Sequence, residues 1–290
     1  MAISRFRQTV AVVVALAAGT AVAGAAQAAY FVRPVLQYQG ALVDGLSLND
    51  KTSGSETFND GTTDLRAHVD LADATIKTYL QTTGPSEEFF GATGVIGDQI
   101  RYTGASDQAV SFVFNYDAYI SAFQEEINAP EDADSRFISV QAYFAVYEAG
   151  SGATWADWTR SGTPSIYNQA LYVSDEFVDF QGEPGVFSRY FSGSLGTDLF
   201  LTSGKSYEVF SAFNLLATPG SMPGEITMNS LNTSRIGIQA PGGSFTSQSG
   251  QFLGFAQTAA IPEPATWAMM IVGFGFAGSV LRRRKAALAA

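Results

Sequence analysis

The sequence predicts an all-β protein, a single β-sandwich of jelly-roll-like size, with an apolar segment at each end of the chain that stands apart from it. Three observations carry this prediction. Short stretches alternate apolar and polar residues, clusters of Gly, Ser, Pro and Asp separate these stretches, and helical periodicity is scarce. About 230 residues remain between the two apolar ends, which suits one all-β domain.

The clearest strand is predicted over residues 64–71, where apolar and polar side chains alternate without a break. The two faces of this strand would be formed by Leu65, Ala67, Val69 and Leu71 on the apolar side and by Asp64, Arg66, His68 and Asp70 on the polar side. The turn residues Asn59, Asp60 and Gly61 come just before it, so a hairpin is expected there.

Further strands are predicted along the rest of the chain. Residues 110–116 place four large apolar side chains on one face, namely Val110, Phe112, Phe114 and Tyr116. Residues 136–148 are apolar on both faces, as expected of a central strand. The remaining strand predictions cover residues 170–180, 186–191, 205–215 and 226–239. Residues 118–127 instead predict one or two helical turns, ended by Pro130.

Charge and cysteine content exclude several classes of function. The net charge is −11, and six of the 16 basic residues but only one of the 27 acidic residues lie in the terminal segments, so the central domain is more acidic still. Such a surface repels nucleic acid and anionic lipid, and no nucleic-acid partner is expected. The absence of cysteine excludes thiol catalysis, iron–sulfur clusters and thiolate zinc sites.

The sequence gives little support for an enzyme. His68 is the only histidine, and no GxSxG motif accompanies it. Carboxylates occur as possible glycosidase pairs at Glu87–Glu88, Glu125–Glu126 and Glu176 with Asp179. Residues at these spacings point in different directions on a strand, so the pairs would not converge. A non-enzymatic protein is therefore predicted.

Two polar clusters could bind a ligand. His68, Arg66 and Asp70 share one strand face, which either contacts a ligand or is simply solvated. The acidic loop at residues 131–134 offers closely spaced oxygen ligands of the kind that Ca²⁺ prefers, but it lacks the glycine spacing of an EF-hand. The alternative is an ordinary charged turn, and no metal site or cofactor is predicted.

Three aromatic residues form the best carbohydrate-binding candidate in the sequence. Trp155, Trp158 and Tyr167 lie in a stretch rich in Gly, Ser and Thr. Exposed aromatic rings can stack on the faces of sugars. The alternative is an aromatic loop that packs onto the sandwich.

Residues 1–28 have the pattern of a secretory signal peptide. Arg5 and Arg7 precede an apolar run over residues 10–23, and residues 26–28 form an A-x-A cleavage site. This predicts the Sec translocon and signal peptidase as partners. A retained N-terminal anchor is the alternative.

The C-terminus has three parts in a fixed order. Residues 257–264 form a stalk, residues 265–281 are uncharged, and residues 282–290 form a basic tail that begins with Arg282, Arg283, Arg284 and Lys285. As a helix, the uncharged run would be about 25 Å long and could span a bilayer with snorkelling ends. The basic residues predict that this end stays cytoplasmic. A helix buried in a soluble core is the alternative.

This C-terminus resembles the PEP-CTERM sorting signal in its PEPxxWA form. The matching residues are Pro262, Glu263, Pro264, Trp267 and Ala268, followed by the glycine-rich run at 273–278 and the arginine cluster. The resemblance implies export, transient inner-membrane anchoring and recognition by an exosortase that cuts near the PEP motif. It also implies a cell-surface or extracellular location linked to exopolysaccharide and biofilm.

The first hypothesis is therefore an exported, non-enzymatic surface or matrix protein, with residues 30–256 forming the sandwich. The second is a carbohydrate-binding module attached to exopolysaccharide, and the third is a secreted hydrolase. A screen of binding to sugars separates the second from the first. Two carboxyl groups facing each other across one cleft would favour the third.

We expect calcium to leave the stability of the protein unchanged, because residues 131–134 are interpreted as a charged turn. The measurement is the midpoint of thermal unfolding without calcium and with millimolar calcium. A ligand that binds the folded state alone would raise this midpoint. A rise with calcium but not with magnesium would contradict the prediction.

Overall fold

The computed structural model describes residues 30–44, 48–49, 51–124, 137–150, 170–181, 185–220, 224–240 and 243–251. In this part of the chain all regular structure is β-strand, which confirms the all-β prediction. None of these residues belongs to a helix long and apolar enough to cross a bilayer. The predicted signal peptide (1–28) and the predicted membrane segment (265–281) lie outside the described residues.

Fourteen strands follow one another along the described residues. They are β1 (Tyr30–Tyr38), β2 (Ala41–Asp44), β3 (Leu48–Asn49), β4 (Ser53–Asn59), β5 (Thr63–Asp70), β6 (Thr75–Thr83), β7 (Phe90–Gly104), β8 (Gln108–Gln124), β9 (Phe137–Glu148), β10 (Ala170–Gln181), β11 (Gly185–Leu201), β12 (Ser206–Thr218), β13 (Gly224–Gln239) and β14 (Gly243–Ser247). At 17 residues each, β8 and β11 are about three times the usual strand length.

The strands form two antiparallel sheets. The eight-stranded sheet has the order β10-β9-β12-β7-β1-β2, with β14 paired to β7 and β3 paired to β1. The six-stranded sheet has the order β11-β8-β13-β6-β5-β4. One large core lies between them, and this confirms the prediction of a sandwich-like arrangement.

The connectivity of β6 to β13 is that of a folded-over hairpin. β6 pairs with β13, β7 with β12, β8 with β11 and β9 with β10. The first strand of this segment thus pairs with the last, the second with the last but one, and so on to the middle. Additional pairing of β13 with β8 and of β12 with β9 wraps the hairpin into two sheets. A double Greek key of eight such strands is the topology of a jelly roll.

The core between the sheets uses the residues that alternation predicted. Leu65, Ala67 and Val69 of β5 are fully buried. Aromatic rings from the two sheets meet in the centre, where Phe112 of β8 lies 6.4 Å from Phe144 of β9 between ring centroids. Burial of this much apolar surface is the main term that stabilises the sandwich.

The eight-stranded sheet is buried on its other face too. A second apolar cluster lies there, made by alternate residues of four strands: Phe31, Val95, Ala145, Tyr147, Phe210 and Ala212. The prediction that the strand at 136–148 is covered on both sides is confirmed for its described part, β9, whose Val146 faces the core and whose Tyr147 faces the second cluster.

The helical prediction for residues 118–127 is wrong in its described part. Residues 118–124 continue β8 and pair with β11 on one side and β13 on the other. Ala118, Ile120 and Ala122 face the core, whereas Tyr119 and Phe123 face outwards. Because both faces carry apolar residues, the period of two is hidden in the sequence. The strand predicted over 186–191 also extends further, to Leu201.

Strand β7 was not predicted from the sequence, because it contains several glycines, which have a low strand propensity. A Cβ atom at Gly94 would lie 2.3 Å from the Ile76 side chain of the facing sheet, and one at Gly97 would lie 2.5 Å from Phe31. Only glycine permits these approaches of backbone to side chain. The residues that let β7 sit at the centre of the sandwich are therefore the ones that look like strand breakers.

A buried carboxylate ties the end of the described chain to β7. Asp98 is 2% exposed. It accepts hydrogen bonds from the Ser249 backbone N–H, at 3.4 Å, and from the Ser249 hydroxyl. Burial raises the pKa of Asp98 from 3.8 to about 6, although the hydrogen bonds from Ser249 and Ser247 act in the opposite direction. The folded chain thus binds this proton more tightly than the unfolded chain.

We expect Asp98→Asn to become more stable relative to the native chain as the pH rises through about 4 to 6. Ionisation of Asp98 costs the folded state up to about 3 kcal/mol across this range, and asparagine cannot ionise. The measurement is the free energy of unfolding in urea at pH 4 and pH 7.5 for both chains. Hydrogen-bond changes that do not depend on pH cancel in the comparison.

The control is Asp73→Asn at an exposed turn position. It removes the same formal charge without a buried site, so its difference from the native chain should change little between the two pH values. An Asp98→Asn difference that is equally constant would contradict the pKa of Asp98 assigned here.

Candidate functional site

The polar stripe predicted on β5 is occupied by internal contacts. Arg66 is bound to Asp64, with an Nε–Oδ1 distance of 2.9 Å, and its guanidinium lies 5.2 Å from the centre of the Tyr79 ring. The His68 Nδ1 atom lies 2.6 Å from the Ser55 hydroxyl on β4. These contacts are those of a solvated sheet face. Among the described residues, no group of three His, Cys, Asp or Glu is placed to hold a metal.

The carboxylate pairs are placed as follows. Glu87 and Glu88 are exposed in the connection before β7, and the Ser86 hydroxyl accepts a hydrogen bond from the Glu88 backbone N–H. Glu176 accepts a hydrogen bond from the Tyr116 hydroxyl. Burial, and then the hydrogen bond to Glu176, raise the pKa of Tyr116 well above its usual range, so this hydroxyl remains a donor. Glu176 is therefore engaged with a core tyrosine.

Several other predicted sites lie outside the described residues. They are the carbohydrate candidates Trp155, Trp158 and Tyr167, the acidic loop 131–134, Glu125–Glu126, the side chain of Asp179, the sorting residues Pro262, Glu263, Pro264, Trp267 and Ala268, and the basic cluster Arg282, Arg283, Arg284 and Lys285. These remain predictions.

The outer face of the six-stranded sheet carries a row of tyrosines that the sequence alone did not single out. Cross-strand pairing sets Tyr190 of β11 beside Tyr119 of β8, then Asn229 of β13, Tyr79 of β6 and Arg66 of β5. We call this set the tyrosine row. Tyr190 is 65% exposed and Tyr119 is 47% exposed.

Two parallel rows lie beside the tyrosine row. The next residues outward on the same strands give a polar row of Ser188, Ser121, Thr227 and Gln81. The following position gives a phenylalanine row of Val186, Phe123 and Glu225, in which Val186 is 76% and Phe123 is 49% exposed. Together the three rows form what we call the tyrosine face.

Hydrogen bonds hold the polar groups of the tyrosine face in place. The Tyr79 hydroxyl donates to Gln81 Oε1 at 2.8 Å, and Gln81 Nε2 donates to Glu225 Oε1 at 3.1 Å. At the other end, the Tyr190 hydroxyl donates to Asp117 Oδ2 at 2.6 Å. This hydrogen bond raises the pKa of Tyr190 above its usual value, so the hydroxyl stays protonated and keeps donating to Asp117, which holds the ring in place.

A sequence signal for the tyrosine face does exist. In residues 118–124, Tyr119 and Phe123 occupy the positions where alternation calls for polar side chains. A strand with large apolar residues on its solvent side indicates either a covered face or a binding face. The signal was lost because this stretch was predicted as helical turns.

The likeness of the sandwich to solved structures is distant. A carbohydrate-binding module, TmCBM61 in complex with beta-1,4-galactotriose, is matched at 4% identity over 64% of this chain and 86% of that chain, with a TM-score of 0.20. The enzymatically active domain of tailspike protein 4 from bacteriophage CBA120 is matched at 11% identity over 62% of this chain and 19% of that chain, with a TM-score of 0.19. TM-scores this low carry no argument. No curated protein matches the chain.

The C-terminal residues, in contrast, match a known family model. The model describes the PEP-CTERM protein-sorting motif, and residues 260–285 match it. This range includes the Pro-Glu-Pro tripeptide, the uncharged run and the basic cluster on which the resemblance rested. The chain is therefore a PEP-CTERM-containing protein, which supports export and sorting by an exosortase.

Proposed function

We propose that the chain is exported by the Sec route, held in the inner membrane by its C-terminal segment and then cut by an exosortase-type enzyme. The released sandwich would act at the cell surface or in the extracellular matrix. The single observation that carries the proposal is the family-model match at residues 260–285.

The physical chemistry of the C-terminus supports transient anchoring. An uncharged run at 265–281 is just long enough to reach across the hydrocarbon core if its ends are stretched by interfacial side chains. Trp267 suits the outer interface and Arg282 the inner one. In this arrangement the Pro262-Glu263-Pro264 tripeptide would come where the stalk enters the membrane, within reach of a membrane-embedded enzyme.

The properties of the sandwich suit a protein that works outside the cell. It has no cysteine to be oxidised, and its core is large enough to stand without disulfides. Its acidic balance favours solubility. A link to exopolysaccharide and biofilm follows from the family resemblance and is part of the proposal, as is the absence of enzymatic activity.

A carbohydrate-binding role is the second candidate function. The exposed rings of the tyrosine face favour it, because aromatic rings on a flat sheet can stack against sugar rings. A secreted hydrolase is the third and least favoured candidate, since Glu176 is engaged with Tyr116.

We expect the mature protein to begin at Ala29 and to lack the residues that follow the PEP motif. The measurement is the intact mass of the protein recovered outside producing cells. A Pro262→Ala/Pro264→Ala variant replaces the stiff tripeptide by a flexible one. We expect the enzyme no longer to cut it, so a longer chain should stay in the membrane fraction.

The matched control is Gln257→Ala, in the same stalk but outside the motif, which should be processed as the native chain is. A native chain recovered at full length and freely dissolved in the cytosol would contradict the proposed route at both ends.

A further inference from the structure

We propose that the tyrosine face binds an uncharged polysaccharide, whose pyranose rings stack on Tyr190 and Tyr119 and whose hydroxyl groups bond to the neighbouring polar row. Such binding is a property of the sandwich alone. It rests on the second candidate function and names its ligand class and site, and it does not depend on the sorting of the chain.

Exposure is the first observation behind this proposal. Four large side chains on two neighbouring strands are turned to solvent: the cross-strand pair Tyr190 and Tyr119 and, beyond one polar pair, Val186 and Phe123. Soluble proteins scatter exposed apolar residues singly, and a contiguous patch marks an interaction site. The central strands of the opposite sheet bury apolar residues on both faces. Its exposed large apolar residues, Leu42, Val43 and Leu171, lie on the edge strands β2 and β10.

The order of the rows is the second observation. Rings lie at Tyr190 and Tyr119, hydroxyl groups at Ser188 and Ser121, and apolar side chains again at Val186 and Phe123. Adjacent rows are about 7 Å apart, because every second residue of a strand faces the same side. A surface on which apolar and hydrogen-bonding strips alternate matches a sugar chain, whose rings have apolar faces and hydroxyl edges. An interface between protein cores would be more uniformly apolar.

Charge is the third observation, and it selects an uncharged ligand. Asp117 lies beside the tyrosine row and Glu225 ends the phenylalanine row, and both carboxylates accept hydrogen bonds from neutral donors of the protein. Arg66, at the far end of the tyrosine row, is paired with Asp64. Carboxylates can accept hydrogen bonds from the hydroxyl groups of a sugar, whereas an anionic polysaccharide or a nucleic acid would be repelled.

Preorganisation is the fourth observation. The Tyr190 ring is fixed by its hydrogen bond to Asp117, and the chain of bonds from Tyr79 through Gln81 to Glu225 fixes the polar groups on β6 and β13. The strands beneath are paired on both sides except at β11. Binding would therefore cost little ordering of side chains.

The test is affinity electrophoresis of the full chain, purified in a mild detergent, through gels that contain a soluble polysaccharide. The uncharged probes are β-glucan, galactan and mannan, and the anionic comparator is alginate. We expect at least one uncharged probe to retard the protein and alginate not to. In Tyr119→Ala/Tyr190→Ala the apparent affinity should fall at least about tenfold, as for removal of central aromatic anchors.

Three variants serve as comparisons. Tyr119→Phe/Tyr190→Phe keeps the rings, so most of the binding should remain. Phe200→Ala removes a 73% exposed ring from the same face of β11, well away from the tyrosine face, and should leave binding unchanged. Trp155→Ala/Trp158→Ala tests the carbohydrate candidate predicted from the sequence. Thermal unfolding of each variant shows whether it folds as the native chain does.

Several results would overturn the proposal. They are no retardation by any of the three uncharged probes, equal retardation by alginate, or loss of binding in the tryptophan variant but not in the tyrosine variant. Sedimentation tests the other candidate ligand of the tyrosine face, a second copy of the chain. A native dimer that dissociates in the tyrosine variant would assign this face to a second copy of the chain, beside the edge strand β11. None of these results bears on whether the C-terminus is cut.

Discussion

The register of β8 between its two neighbours decides which side chains this protein buries and which it shows to solvent. Successive residues of a strand point to opposite faces, so a register that buries Phe112, Phe114 and Ile120 must turn Tyr119 outwards. The pairing of β8 with β11 runs without a bulge over the whole of both strands. The tyrosine face is thus a direct consequence of how the core is built.

The two sheets differ in how their outer faces are buried. The central strands of the eight-stranded sheet bury apolar residues on both faces, and the sheet contains the glycines that bring β7 close to its neighbours. Among the described residues, the six-stranded sheet packs on one face and turns the side chains of the tyrosine face to solvent on the other.

Sequence reasoning predicted strands that alternate strictly or form a long apolar run. It missed strands in which glycines interrupt the pattern or large apolar residues fill the polar positions. β5 alternates strictly, and β9 is a long apolar run, so both were predicted. β7 was missed because its glycines resemble breaks, and the end of β8 was taken for helix because Tyr119 and Phe123 fill its polar positions. The tyrosine face could not be assembled from the sequence at all, since Tyr190 and Tyr119 are neighbours only through cross-strand register. The sorting motif, in contrast, is local in the chain and needs no fold to be recognised.

Asp98 has a mechanical consequence for the membrane-anchored form of the chain proposed above. A pull on the tail would enter the sandwich at Ser249 and β14, and from there pass to β7 in the middle of the larger sheet. The load would first meet the five-residue ladder of β14 and the bond between Ser249 and Asp98, rather than the long ladders of β8. We expect this short pairing to break before the rest of the fold, so that a pull on the tail would detach β14 while the two sheets stay intact.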